Sequence, residues 1–133
     1  MSDALVEAYG LTLEDAFANA ALATTSVIVD LRTLSPSRIS ESVVVRGFDE
    51  KSLLYNWLEA VLIKKDAERK MFRSFHVKIH HERSGWRLDG MLSGDLMDTK
   101  RQRFKRDVKA VTYHEMEIKK GAKEYVIRFL LDL

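Results

Sequence analysis

Residues 75–96 read Phe-His-Val-Lys-Ile-His-His-Glu-Arg-Ser-Gly-Trp-Arg-Leu-Asp-Gly-Met-Leu-Ser-Gly-Asp-Leu. Before Ser84-Gly85, the apolar residues Phe75, Val77 and Ile79 alternate with polar ones, as in a strand that buries one face. Ser84-Gly85 is a turn signal. After it, one strand face carries Trp86, Leu88, Gly90, Leu92, Gly94 and Leu96. The stretch therefore predicts an antiparallel β-hairpin.

Two amphipathic helices are predicted upstream of this hairpin. The first begins after Thr12, a typical N-cap with Asp15 at the third helical position, and runs to the mid-twenties. The second follows Asp49, and its apolar residues recur with a period near 3.6. They are Leu53, Leu54, Trp57, Leu58, Val61 and Leu62. Each helix thus has one apolar face to pack against a sheet.

Four further strand predictions complete the fold. Residues 3–9 predict a short first strand and residues 39–45, rich in β-branched side chains, a second. Alternation over 108–118 and 125–131, separated by a turn at 119–123, predicts another hairpin. The order is β-α-β-α-β-β-β-β. It indicates an α+β fold of two layers, with a mainly antiparallel sheet covered on one face by two helices, in a single domain over residues 1–133.

Composition excludes several classes of protein. The 133 residues are 46% hydrophobic with one proline, enough to build a core rather than a disordered chain. Cysteine is absent, which excludes disulfides, thiolate metal sites and a cysteine nucleophile. The sequence contains no phosphate-binding glycine motif, which disfavours an ordinary nucleotide-dependent enzyme. With no secretory signal and no long apolar run, we expect a cytoplasmic protein.

The formal net charge is only +2, but one segment is strongly basic. Within seven residues it contains Lys100, Arg101, Arg103, Lys105 and Arg106. Two interpretations remain open: contact with RNA or a protein partner, with Phe104 as a stacking surface, or an ordinary solvated loop.

Other polar residues give weaker signals. His76, His80 and His81 lie on or near a predicted strand, where the spacing favours a polar face over a zinc site. His114 has no evident nucleophile or orienting acid, so an ordinary strand histidine is favoured. Asp3 and Asp132 offer the carboxylate oxygens that Ca²⁺ or Mg²⁺ prefers, although composition alone does not join them in one site.

Five blocks of the sequence resemble the archease family. They are Asp3–Gly10 with Thr12–Ala21, Gly47–Leu58, Gly94–Asp98, Val108–His114 and Leu131–Leu133. The run Lys-Ala-Val-Thr-Tyr-His at 109–114 is the most recognisable. The chain departs from the family in two places. It lacks the histidine of the family's usual His-Thr-Ala-Asp opening, and it has Gln102 where relatives often have histidine.

The resemblance implies a non-enzymatic cofactor protein in transfer-RNA splicing. Archeases assist a GTP-dependent RNA ligase by promoting its guanylylation and its multiple turnover. The resemblance places a divalent metal, with calcium expected, on Asp3, Asp132 and a main-chain or terminal oxygen of Leu133. It puts Lys109 near that metal as a functional residue. The expected partners are the ligase and, directly or indirectly, transfer RNA.

Two alternatives follow from the residues themselves. The first is a stand-alone RNA-binding module that uses the basic loop 100–106, although the overall charge is only mildly basic. The second is a metal-dependent hydrolase, which would need a general base that the sequence does not reveal.

Overall fold

The computed structural model describes residues 2–133 and contains six strands and two α-helices. In chain order they are β1 (Asp3–Gly10), α1 (Leu13–Ile28), β2 (Ile39–Gly47), α2 (Glu50–Glu68), β3 (Lys70–Glu82), β4 (Gly85–Leu96), β5 (Ala110–Lys120) and β6 (Tyr125–Asp132). A short 3-10 helix, Leu31–Thr33, follows α1. The predicted α+β class and element order are confirmed. Over residues 2–133, neither helix combines the length and the hydropathy that spanning a bilayer requires.

The six strands form two antiparallel sheets where the prediction has one. Sheet 1 has the order β1-β6-β5, and sheet 2 has the order β2-β4-β3. Helix α1 packs mainly against β1 and β3, and α2 mainly against β2 and β5, so each helix rests chiefly on one edge strand of each sheet. The two predicted hairpins are present, but the long connection between β4 and β5 lets them join different sheets.

Both helices begin at the caps that the sequence predicts. The Thr12 hydroxyl accepts a hydrogen bond from the Asp15 N–H at 3.0 Å. Asp49 and Ser52 form a reciprocal capping box, in which Asp49 Oδ1 accepts from the Ser52 N–H at 2.7 Å and Ser52 Oγ accepts from the Asp49 N–H at 3.1 Å. These bonds satisfy N–H groups that lack partners within the helix.

Trp57 of α2 links both helices to sheet 2. Its side chain is completely buried, and its Nε1–H donates to the Phe17 carbonyl of α1 at 3.0 Å. The indole meets Phe75 of β3 edge-on, with 5.9 Å between ring centroids. It also lies beneath Gly90 of β4, where an added Cβ would come within 3.1 Å of the ring. Gly90 therefore leaves the space that this indole fills.

Gly94 permits a close approach between β4 and β3. A Cβ at this position would lie 2.1 Å from the Met71 carbonyl oxygen and 2.6 Å from the Phe72 Cα. The register between the two strands shifts at this point, between Phe72 and Ser74. A side chain at position 94 would therefore collide with the backbone of a bulged strand, which cannot move aside as a flexible side chain can.

We expect Gly94→Ala to lower the free energy of unfolding by about 2 to 3 kcal/mol, because the methyl group must displace the β3 backbone. Urea unfolding followed by circular dichroism measures the change. Ser93→Ala, at the half-buried neighbour whose hydroxyl makes only a long 3.3 Å hydrogen bond to Ser40, is the matched control. It should change the free energy by less than about 0.5 kcal/mol. Equal unfolding free energies for Gly94→Ala and the wild type would contradict the close contact.

Candidate functional site

Strands β1 and β6 bring the two ends of the described chain together. Their antiparallel register runs without interruption from Asp3 opposite Asp132 to Gly10 opposite Tyr125. Directly opposed residues share a face of the sheet, so the side chains of Asp3 and Asp132 project from the same face of sheet 1. Asp3 is exposed and Asp132 is half-buried. The pair is therefore open to solvent at the end of sheet 1.

Lys109 and Leu133 lie beside this carboxylate pair. The Lys109 N–H donates to the Asp132 carbonyl at 2.8 Å, and the Leu133 N–H donates to the Ser2 carbonyl at 3.2 Å. The Lys109 side chain is exposed. The three predicted metal ligands, Asp3, Asp132 and Leu133, and the neighbouring Lys109 thus lie in one small region.

The donor set suits a hard divalent cation but supplies only part of its shell. Carboxylate oxygens are the ligands that Ca²⁺ and Mg²⁺ prefer. Across residues 2–133, no group of three or more His, Asp or Glu side chains is arranged to hold a metal ion. A cation at Asp3 and Asp132 would therefore need a main-chain or terminal oxygen, such as that of Leu133, and water. Coordination by these residues stays a prediction.

The basic loop is held against the end of α1. Val29 forms an isolated β-bridge with Phe104. The Asp30 N–H donates to the Arg103 carbonyl, and the Lys105 N–H donates to the Ile28 carbonyl, both at 2.8 Å. The backbone of residues 103–105 therefore has a fixed position, which a freely solvated loop would lack.

Asp95 anchors the start of this loop from inside the protein. Its side chain is completely buried and accepts hydrogen bonds from Arg101 Nη1 at 3.0 Å, Gln102 Nε2 at 3.2 Å and the Ser35 N–H at 3.0 Å. Burial alone would raise the pKa of Asp95, but the Arg101 hydrogen bond and charge, together with the Ser35 and Leu96 N–H groups, lower it to about 2. Arg101 and Gln102 thus hold the loop in place.

Two other loop cations contact the backbone or the N-terminal strand. Lys105 Nζ donates to the Ser26 carbonyl in the last turn of α1 at 2.7 Å. Arg106 Nη2 donates to Ser2 Oγ at 3.2 Å, next to Asp3. Lys100 and Arg103 form no ion pair within residues 2–133. Of the five predicted contact residues, Arg101, Lys105 and Arg106 are therefore anchored by side-chain bonds. Lys100 and Arg103 face outward.

Lys65 is a buried cation that we did not predict from the sequence. Its Nζ donates to Asp66 at 2.8 Å, to Asp107 at 2.9 Å and to the Val108 carbonyl at 3.2 Å. Burial opposes its charge, but the two carboxylates outweigh burial and raise its pKa. Lys65 lies four residues after Val61, on the apolar face of α2, and this spacing could have predicted its burial. The cluster fixes the chain immediately before Lys109.

The histidines take separate positions. His80 Nε2 lies 3.2 Å from Asp89, and His81 stacks on Trp86 with 4.1 Å between ring centroids. His114 is exposed, in an irregular stretch of β5 where Glu115 has a φ of 59°. No side chain of the described residues joins His114 to both a nucleophile and an acid by a hydrogen bond.

Comparison with known proteins decides the family. Residues 1–133 match the Archease protein family (MTH1598/TM1083). The chain belongs to the archease family. "Protein archease" of Pyrococcus abyssi is 40% identical over 119 residues, covering 90% of this chain and 83% of that protein. "Protein archease" of Sulfurisphaera tokodaii is 35% identical over 132 residues, covering 99% of this chain and 93% of that protein.

A solved structure supports the same assignment. The solution structure of Methanobacterium thermoautotrophicum protein 1598 superposes with a TM-score of 0.85 at 35% identity, covering 100% of this archease chain and 94% of that protein. The predicted membership of the archease family is therefore confirmed. The positions of Asp3, Asp132 and Lys109 in this fold can be interpreted within an archease framework.

We expect Arg101→Gln to lower the free energy of unfolding at pH 7 by about 1 to 3 kcal/mol, because Asp95 loses its charged donor. The folded pKa of Asp95 lies below its unfolded value, so its stabilisation is complete above about pH 4 and is lost as the pH falls towards 2. The difference between variant and wild type should therefore shrink below pH 4.

Urea unfolding at several pH values measures this difference. Arg103→Gln is the matched control because Arg103 lies in the same loop without an ion pair in the described chain. It should change the unfolding free energy by less than about 0.5 kcal/mol. A difference for Arg101→Gln that stays constant down to pH 2 would contradict the role of Asp95.

Proposed function

We propose that this archease is a non-catalytic, cytoplasmic, metal-binding cofactor protein for a GTP-dependent RNA ligase of transfer-RNA splicing. It would promote guanylylation of the ligase and its repeated turnover. The observation that carries the proposal is the register of Asp3 opposite Asp132, with Lys109 bonded to the Asp132 backbone. Membership of the archease family supports the expectation of a ligase partner, which the resemblance implies.

The residues at the end of sheet 1 would have distinct roles. Asp3 and Asp132 would hold the divalent cation with a main-chain or terminal oxygen of Leu133. When bound, the cation would supply a positive charge to which phosphate or carboxylate oxygens of the ligase complex can attach. Lys109 is exposed and has no ion-pair partner in the described chain, so its ammonium can add a second positive contact.

The rigid surroundings support a positioning role. Lys65 holds Asp107 and Val108 on one side of Lys109, and the bond to the Asp132 carbonyl holds Lys109 itself. A surface that aligns a partner's active site needs its charged groups fixed before contact, because ordering them during binding costs conformational entropy.

We expect Asp132→Asn to reduce the stimulation of ligase turnover about tenfold or more, because a neutral amide is a much weaker ligand for a hard cation. The assay combines limiting ligase, GTP and excess broken RNA, with and without this chain. Circular dichroism and thermal unfolding should show that the variant remains folded.

Glu7→Gln is the matched control. Glu7 lies on the same face of β1 as Asp3, away from the end of the sheet, where it pairs with Arg128. Its replacement should leave the stimulation within about twofold of the wild type, since a screened surface ion pair contributes little. Full stimulation by Asp132→Asn would refute the proposed metal site.

A further inference from the structure

Two neighbouring clefts share one arginine. The first, of about 260 Å³, lies between the ends of α1 and α2 and carries Lys65, Arg69, Lys105 and Arg106 among its lining residues. The second, of about 380 Å³, lies against the end of β4 and carries Arg38, Arg69, Lys100 and Arg101. Arg69 and Met97 line both clefts, so the clefts adjoin at these two residues, and the two together are called the groove.

This groove is far more basic than the molecule as a whole. Its walls hold seven lysine or arginine residues and three aspartates, in a chain with a net charge of +2. Lys65 is already neutralised by two of those aspartates, and Arg101 pairs with the third. Four cations form no ion pair within residues 2–133: Arg69, Lys100, Lys105 and Arg106. Unpaired charge is therefore concentrated here.

Arg69 occupies a backbone conformation that favours glycine. It is the C-cap of α2 with φ 56° and ψ 45°, in the left-handed region. Its N–H closes the helix onto the Lys65 carbonyl, and its carbonyl accepts from the Met97 N–H. Glycine would make both backbone bonds with less strain. The guanidinium itself is exposed and makes no hydrogen bond or ion pair to any described residue.

Helix C-termini attract cations, and both helices end near this groove. Lys105 serves that purpose for α1, because its Nζ donates to the Ser26 carbonyl. The Arg69 side chain makes no such bond to the carbonyls of α2 in the described structure. Capping thus accounts for the position of Lys105 but leaves the arginine at position 69 unexplained.

We propose that this groove binds the sugar–phosphate backbone of single-stranded RNA, with Arg69 at its middle. Cations distributed along a groove follow successive phosphates, and the half-buried Phe104 ring in the first cleft offers a surface on which a base can stack. Arg106 also bonds to Ser2, so the groove leads to the carboxylate pair. The inference rests on the proposed function, since it gives the broken RNA a path to that site.

Fluorescence anisotropy with a labelled single-stranded RNA of about 12 nucleotides tests the groove without ligase. We expect Arg69→Gly to weaken binding about fivefold or more and Arg69→Lys to retain most of it. The slope of log affinity against log salt should become shallower by about 0.7 for Arg69→Gly, as for one lost phosphate contact. Arg83→Gly, which removes an exposed arginine from the β3–β4 turn, should bind like the wild type.

Thermal unfolding separates lost binding from lost structure. Glycine relieves the left-handed strain at position 69, so Arg69→Gly should unfold at a temperature equal to or above that of the wild type. Wild-type affinity in Arg69→Gly would overturn the proposal. Binding of RNA only when ligase is present would also overturn it, because the chain alone would then lack an RNA site.

The ligase turnover assay distinguishes this proposal from the proposed function. In one outcome, the chain stimulates ligase turnover yet fails to bind RNA when the ligase is absent. That result would refute the RNA-binding groove and would still support the cofactor role. The opposite result is RNA binding that depends on Arg69 without any stimulation of ligase turnover. It would support RNA binding by the groove and refute the cofactor role.

Discussion

The antiparallel register between β1 and β6 is the constraint on which the candidate site depends. Val6 and Ala8 face the core while Asp3 and Glu7 face outward. A slip of one residue would reverse these faces and bury the acidic side chains, so hydrophobic burial selects the register. The same pairing sets Asp3 opposite Asp132. The position of two surface carboxylates is thus determined by apolar residues of the core.

The charged residues of the connection between β4 and β5 have two roles. Some form ion pairs that hold the connection in place, and others stay unpaired among the described residues and face solvent. Buried Asp95 pairs with the exposed Arg101 at one end of the connection between β4 and β5, and buried Lys65 pairs with Asp107 at the other end. These pairs fix a segment that lacks regular secondary structure for most of its length. The two ion pairs hold the backbone of this segment in place. Cations of the segment that form no ion pair in the described structure, such as Arg106, therefore have fixed backbone positions and keep their charge.

Local sequence signals predicted the helices and strands well. Thr12 and Asp49 cap the helices as expected, because capping depends on residues only three positions apart. The division into two sheets was not predicted, since it depends on which distant strands pair. The proximity of Asp3 and Asp132 followed from family resemblance rather than from pattern. The left-handed conformation of Arg69 was missed because no local signal marks a non-glycine residue there.

The topology also bears on the order of folding. Sheet 2 is assembled from β2, β3 and β4, which lie within residues 39–96, whereas sheet 1 must join β1 to β6 across nearly the entire sequence. Closing the longer loop costs more chain entropy, so contacts between nearby segments form more readily. Sheet 2 and α2 are therefore suited to act as a nucleus, with β1 docking late. Asp3 and Asp132 would then come together only in the last step of folding.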